Sequence, residues 1–173
     1  MVFTVIGIIL AAVFVAMVIS ILLSIFIWNP LEVGCQKFFI NCKYGNAELG
    51  DIAYGFKNGY AHIGMIMFLR GLFTGLWMLL FIIPGIVKSY EYMMIPYLLA
   101  EHPEMTRQEA FAESKQMMDG NKWDAFVLDL SFIGWTLLGV CTFGILLVFY
   151  VEPYIYLTRA ELYHALKLSL IHI

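Results

Sequence analysis

VFTVIGIILAAVFVAMVISILLSIFIW, residues 2–28, carries no charged side chain from Val2 to Trp28. At 1.5 Å per residue, a helix of that length covers about 40 Å, more than the ~30 Å hydrocarbon core of a bilayer. The stretch lacks the basic leader, the short apolar run and the small-residue cleavage site of a signal peptide. It reads as a membrane-spanning helix. The chain opens directly inside it, so a further N-terminal portion is expected ahead of Met1.

Composition extends that reading to the whole chain. Of 173 residues, 62% are hydrophobic and 13% charged, with a mean hydropathy of +0.84. Soluble domains average about 45–50% apolar and about 25% charged, so the excess apolar surface has to face lipid. A net charge of −3 gives no basic face for nucleic acid. Cys35 and Cys42 have six residues between them and no Cys or His pair beside them, and Cys141 lies in apolar sequence. The first two do not form a zinc site, and the third reads as a small buried hydrophobe.

Outward from the first span, Asn29-Pro30 is expected to end the helix, because proline disfavours helix at the residue before it. Residues 29–60 then read as a polar connection with a short amphipathic helix near Asp51–Tyr60. Residues 61–83 form a second apolar run, interrupted by Arg70 and ended by Pro84-Gly85. Residues 86–100 resume the pattern and contain Pro96, which predicts a helical hairpin turning at Pro84-Gly85. Residues 101–123 form the most polar stretch. Thr106 and Glu109 stand at capping-box spacing, Ala110, Phe111, Ser114, Met117 and Met118 recur at three- and four-residue intervals, and Gly120 fits a stop. This predicts an amphipathic helix over 106–118. Residues 124–141 and 145–166 read as a second hairpin, turning at 141–144.

The two hairpins resemble each other. Trp77-Met78-Leu79-Leu80, Pro84-Gly85-Ile86 and Pro96-Tyr97 match Trp135-Thr136-Leu137-Leu138, Phe143-Gly144-Ile145 and Pro153-Tyr154 in order and in approximate spacing. Repeated helical units are common in membrane folds. With loops 29–60 and 101–123 placed in the cytoplasm, Lys and Arg concentrate on the inner side and Lys88 alone falls outside, as the positive-inside rule requires. Trp28 and Trp123 would then mark the inner interface, and Trp77 and Trp135 the outer half.

Ionisable residues inside spans carry a functional hypothesis by default. Here they are Arg70, Glu91, Asp129 and Glu152. Arg70 lies fifteen residues before Gly85, and Asp129 fifteen before Gly144. Equal depth leads us to expect an Arg70–Asp129 ion pair; the alternative has Arg70 snorkelling to headgroups and Asp129 at the interface. Lys88 and Glu91, three apart, share a helix face and make a local pair. Glu152 precedes Pro153, where a kink frees carbonyls. It faces either a polar interior or water, or else it serves a cation or proton. Gly71 and Gly75, like Gly55 and Gly59, stand at the spacing that lets membrane helices approach closely, and Gly134 and Gly144 make the fourth span small-sided. His62, His102, His164 and His172 are scattered, and no nucleophile elbow, phosphate loop or metalloprotease motif occurs. No catalytic, cofactor or metal residue is expected.

Residues 76–166 resemble a family of uncharacterised bacterial membrane proteins, domain of unknown function 975. The residues that carry the resemblance are Leu80-Phe81-Ile82-Ile83-Pro84-Gly85-Ile86-Val87-Lys88, 92–101, 114–123, Leu128-Asp129-Leu130-Ser131-Phe132-Ile133-Gly134-Trp135 and Pro153-Tyr154, with Asn29-Pro30-Leu31 at the first junction. The resemblance implies a polytopic protein of a Gram-positive plasma membrane with no established activity. Family members usually begin with a further cytoplasmic amphipathic helix, which this chain lacks, and residues 168–173 depart from the family pattern. We therefore expect a single all-α membrane bundle of five spans (2–28, 61–83, 86–100, 124–141, 145–166). The expected role is non-enzymatic: structural, assembly or envelope homeostasis. A small-solute or ion transporter is the alternative, and a membrane enzyme the third. Its partners are the bilayer and other membrane proteins, with no cofactor and no nucleic acid; the oligomeric state is left open.

Overall fold

In the computed structural model, which describes residues 2–142 and 144–171, the chain is helical nearly throughout, and among the described residues there is no strand. Among the described residues, three helical stretches are long and apolar enough to cross a membrane: Thr4–Lys43, Tyr60–Leu80 and Lys122–Cys141.

The first of these overturns the expected stop at Asn29-Pro30. Helix α1 (Val2–Leu23) passes through a π-helical segment (Ser24–Trp28) directly into α2 (Asn29–Lys43). Proline inside a helix removes one N–H and crowds the carbonyl four residues back. Here the wider π turn just before Pro30 accommodates the ring, and the carbonyl of Phe26 accepts the Tyr60 hydroxyl at 2.7 Å instead. Asn29 Nδ2 donates to the Gly64 carbonyl at 3.4 Å, which ties the same joint to the next helix. The device recurs late in the chain, where a π segment (Leu147–Val151) precedes Glu152-Pro153 and the helix again continues.

After α2 come a 3₁₀ turn (Leu49–Ala53) and the short α3 (Tyr54–Lys57), in place of one amphipathic helix over 51–60. Helix α4 (Tyr60–Leu80) starts from Gly59, whose φ of +67° suits glycine. It ends at Phe81, where the backbone is extended (φ −152°, ψ 125°). The hairpin therefore turns at Phe81, three residues earlier than expected. Pro84 stands in the first turn of α5 (Ile82–Glu91), where its missing N–H has no intrahelical partner to lose. Gly85 is set against α4: a Cβ there would lie 2.5 Å from Met78 Cγ and 2.6 Å from its Cα.

The expected span 86–100 is also divided. Helix α5 stops at Glu91, and α6 (Ile95–Glu101) restarts with Pro96 in its first turn. A continuous helix would drive the Pro96 ring into the Tyr92 carbonyl. Helix α7 (Arg107–Met118) carries the expected capping box, with Thr106 N–H donating to Glu109 Oε2 at 2.8 Å and Glu109 N–H to Thr106 Oγ1 at 3.4 Å. It buries Ala110, Ser114, Met117 and Met118, and Gly120 (φ +78°) follows its end. Helix α8 (Lys122–Cys141) turns back through Gly144 (φ +82°) into the second π segment and α9 (Glu152–Ile171). Phe143 lies outside the described residues.

Burial is graded along these helices. The core gathers at one end, from Val33 and Ile40 of α2, Ile63 and Met67 of α4, all of α6 from Ile95 to Ala100, the α7 face, and Ala160, Tyr163 and Leu166 of α9. At the opposite end, α1, the second half of α4, the start of α5 and the end of α8 bare Leu, Ile, Val and Phe side chains. A packed head thus carries apolar limbs.

Candidate functional site

Three of the four charged residues expected inside spans, Arg70, Glu91 and Asp129, collect where the head meets the limbs. Because α2 continues through Pro30, Glu32 lies on a helix facing α4, and Arg70 Nη1 donates to Glu32 Oε1 at 2.9 Å. Asp129 of α8 accepts from Arg159 Nη2 at 2.9 Å through one oxygen, and from the Tyr90 hydroxyl at 3.0 Å through the other. The expected Arg70–Asp129 pair is therefore replaced by two separate pairs. Arg70 pairs with a helix outside its own hairpin, whereas Asp129 pairs with Arg159 on the other arm of the same hairpin. The Tyr97 ring is buried and stacks on Tyr163 at 5.4 Å.

Glu91 is the most enclosed of the charges, with its side chain 5% exposed. Lys88, three residues before it, donates at 2.8 Å, and Lys122 at the start of α8 donates at 3.2 Å. The Ser114 hydroxyl binds the Glu91 carbonyl at 2.8 Å. One residue thus joins α5, α7 and α8. Lys88 also sits over the Tyr92 and Trp77 rings, at 5.6 and 5.9 Å. Glu152 occupies a different environment, exposed at the junction of the second π segment and α9. Gly71, Gly75 and Gly134 have no neighbour within 4 Å of a notional Cβ, whereas Gly55 and Gly34 are pressed against backbone.

A further knot lies in the head. Glu101, at the end of α6, accepts from the Tyr163 hydroxyl at 2.6 Å and from Lys167 of α9. Burial alone would raise its pKa, but the Lys167 and Tyr163 hydrogen bonds outweigh it and hold the carboxyl below its ordinary value. A carboxyl depressed in the folded state contributes fully above the ordinary value of about 4.3. That contribution fades as pH falls through the lower folded value. Glu101→Gln is therefore expected to reduce stability by about 1–3 kcal/mol at neutral pH. Thermal unfolding across a pH series should show this gap closing as the solution is acidified below the carboxylate range. A gap that stays constant down to strong acid would mean the charge of Glu101 is not what binds α6 to α9.

Spacing along the chain missed Glu32, Tyr90, Lys122 and Arg159. Glu32 was read as a loop charge because the helix was expected to stop at Pro30. Val33 and Ile40, seven apart and both buried, keep a helical period just after that proline, and this spacing marked the segment as helix and not loop. Among the described residues, no group of three or more His, Cys, Asp or Glu side chains is placed to hold a metal ion. Among the described residues, three buried side-chain atoms have no hydrogen-bond partner: Gln36 Oε1, Arg159 Nε and His164 Nε2.

A family model described as a protein of unknown function (DUF975) matches residues 2–169. No curated protein matches the chain, and no solved structure does.

Proposed function

The chain belongs to this family of proteins of unknown function, and from that premise we propose that it is a non-enzymatic, multi-pass membrane protein acting as a structural, assembly or envelope-homeostasis factor. In this reading the apolar limbs enter the bilayer as a leading span and two hairpins, α4–α5 and α8 with the helix after Gly144. Five segments then cross or enter the membrane. The hairpins are taken as pseudo-repeats, each with a glycine where its arms close: Gly85 against Met78, and Gly139 against Leu147. The head faces the cytoplasm, because it carries Lys37, Lys43, Lys57, Arg107, Lys115 and Lys167 while the far ends of the limbs carry no Lys or Arg.

The observation that supports a structural role is the local pairing of the charges at the foot of the limbs. Arg70 with Glu32, Arg159 with Asp129, and Lys88 and Lys122 with Glu91 bind helices to one another. A transport site needs ionisable side chains free of protein partners, and each of these already has one. One residue favours the transporter as a second reading: Glu152 presents a carboxylate on an apolar limb. Proteoliposome flux separates the two. Under the structural reading, reconstituted protein carries no saturable ion or solute flux above empty vesicles. Cells lacking the protein show altered envelope integrity or membrane-protein content, restored by the wild type and by Glu152→Gln alike. A saturable flux abolished by Glu152→Gln would replace assembly with transport.

A further inference from the structure

Helices α5 and α8 touch at their feet and part towards the far ends of the limbs. At the foot, Lys122 meets Glu91 at 3.2 Å, and the Tyr90 ring stands edge-on to Phe126 at 6.2 Å. Above that contact lies an open groove of about 420 Å³, walled by Ile83, Ile86 and Val87 of α5 and by Phe126 of α8. Lys122 and Trp123 stand at its mouth, and Trp123 is 70% exposed.

We propose that this groove holds the hydrocarbon tail of an anionic phospholipid whose phosphate rests on Lys122. The inference depends on the membrane placement given above. The walls are apolar from Ile83 to the Tyr90 ring, a length of about 10 Å along α5, and offer nothing to a polar solute. A helix is too large for the space, since a 10 Å length of cylinder 10 Å across occupies about 800 Å³. Charge selects the headgroup. Lys88 and Lys122 share the single carboxylate of Glu91, and Asp129 is taken up by Arg159, so the cluster around Glu91 sets two cations against one anion. Asp124 lies two residues beyond Lys122, more than half a turn away and on the other side of α8. Trp123 beside the lysine supplies the amphipathic ring that sits at headgroup level.

The test places Trp28, Trp77 and Trp135 as Phe, leaving Trp123 as the only indole. The full-length protein is reconstituted in phosphatidylcholine with a small fraction of brominated-chain phosphatidylglycerol. Trp123 quenching is expected to report about fivefold local enrichment of the brominated lipid, the factor that roughly 1 kcal/mol from one lysine at a membrane surface supplies. Lys122→Gln, read against its own unbrominated baseline, is expected to return quenching to the bulk level. Val87→Trp is avoided in this assay, because it adds an indole, and Val87→Phe is used to narrow the groove, with the same expected loss. Quenching that follows bulk composition in the parent protein, or enrichment that survives both substitutions, overturns the proposal. Brominated phosphatidylcholine as the sole lipid tests the membrane reading separately: no quenching there means Trp123 never meets acyl chains, and the placement itself fails.

Discussion

Reversing a single charge at the foot of the limbs, with Arg159→Asp or Arg70→Glu, is expected to destabilise the protein, and reversing its partner as well is expected to rescue it. Removing one member of a fully buried pair costs roughly 3–5 kcal/mol, because the other charge is left desolvated and alone. These pairs are partly open, with Arg70 and Glu32 side chains 24% and 39% exposed and Arg159 and Asp129 33% and 25%. A loss of about 2 kcal/mol per single reversal is the corresponding expectation. The doubles R70E/E32R and R159D/D129R should recover most of it, the second less fully because Asp129 also accepts from Tyr90. The cross-pair double R70D/D129R should recover nothing. Thermal unfolding in one detergent across all five variants decides the matter. Rescue by the cross-pair double alone would restore the pairing that equal depth in the sequence had led us to expect.

Glycine substitution separates Gly55 from Gly71 and Gly75, which spacing alone treats alike, and adds Gly34, which spacing did not single out. At Gly34 an added Cβ would lie 2.0 Å from the Ile52 carbonyl oxygen, and at Gly55 2.2 Å from that of Pro30. The obstacle in both cases is backbone, which cannot turn aside as a side chain can. Overpacking of this kind typically costs about 1–3 kcal/mol and occasionally more, and two backbone clashes place Gly34→Ala and Gly55→Ala at or beyond the upper end. Gly71 and Gly75 have nothing within 4 Å. Removing a flexible glycine from a helix interior is worth roughly 0.5–1 kcal/mol, so Gly71→Ala and Gly75→Ala should be neutral or mildly stabilising. The readout is the unfolding midpoint, with expression level as a check on folding. A large loss at Gly71 or Gly75 would reveal a second surface packed on that face of α4.

These cases also mark how far the sequence carries. The capping box at Thr106 and the stop at Gly120 were legible because each acts within one turn of its own residue. Pro84 was legible as punctuation but was misplaced, and Pro96 was read as lying inside a continuous span. A proline is harmless in the first turn of a helix, so each marks where a helix restarts, and the turn falls before it. Pro30 was misread outright. Whether it ends a helix depended on Tyr60, thirty-four residues away, supplying a donor to the freed Phe26 carbonyl. The Lys88–Glu91 contact could be read locally, whereas the Lys122 and Ser114 bonds that make Glu91 a junction come from other helices.

By itself, the sequence determined that this is a helical chain with long apolar stretches, and where a cap such as Thr106 and a stop such as Gly120 bound a helix. Those properties follow from hydropathy and from hydrogen bonds made within a turn or two. Tertiary structure alone decided which charge meets which, which glycines are crowded, and that α6 is core. Each of these depends on where another helix lies, and a backbone set by neighbours distant in the chain leaves no period or spacing from which that position can be read.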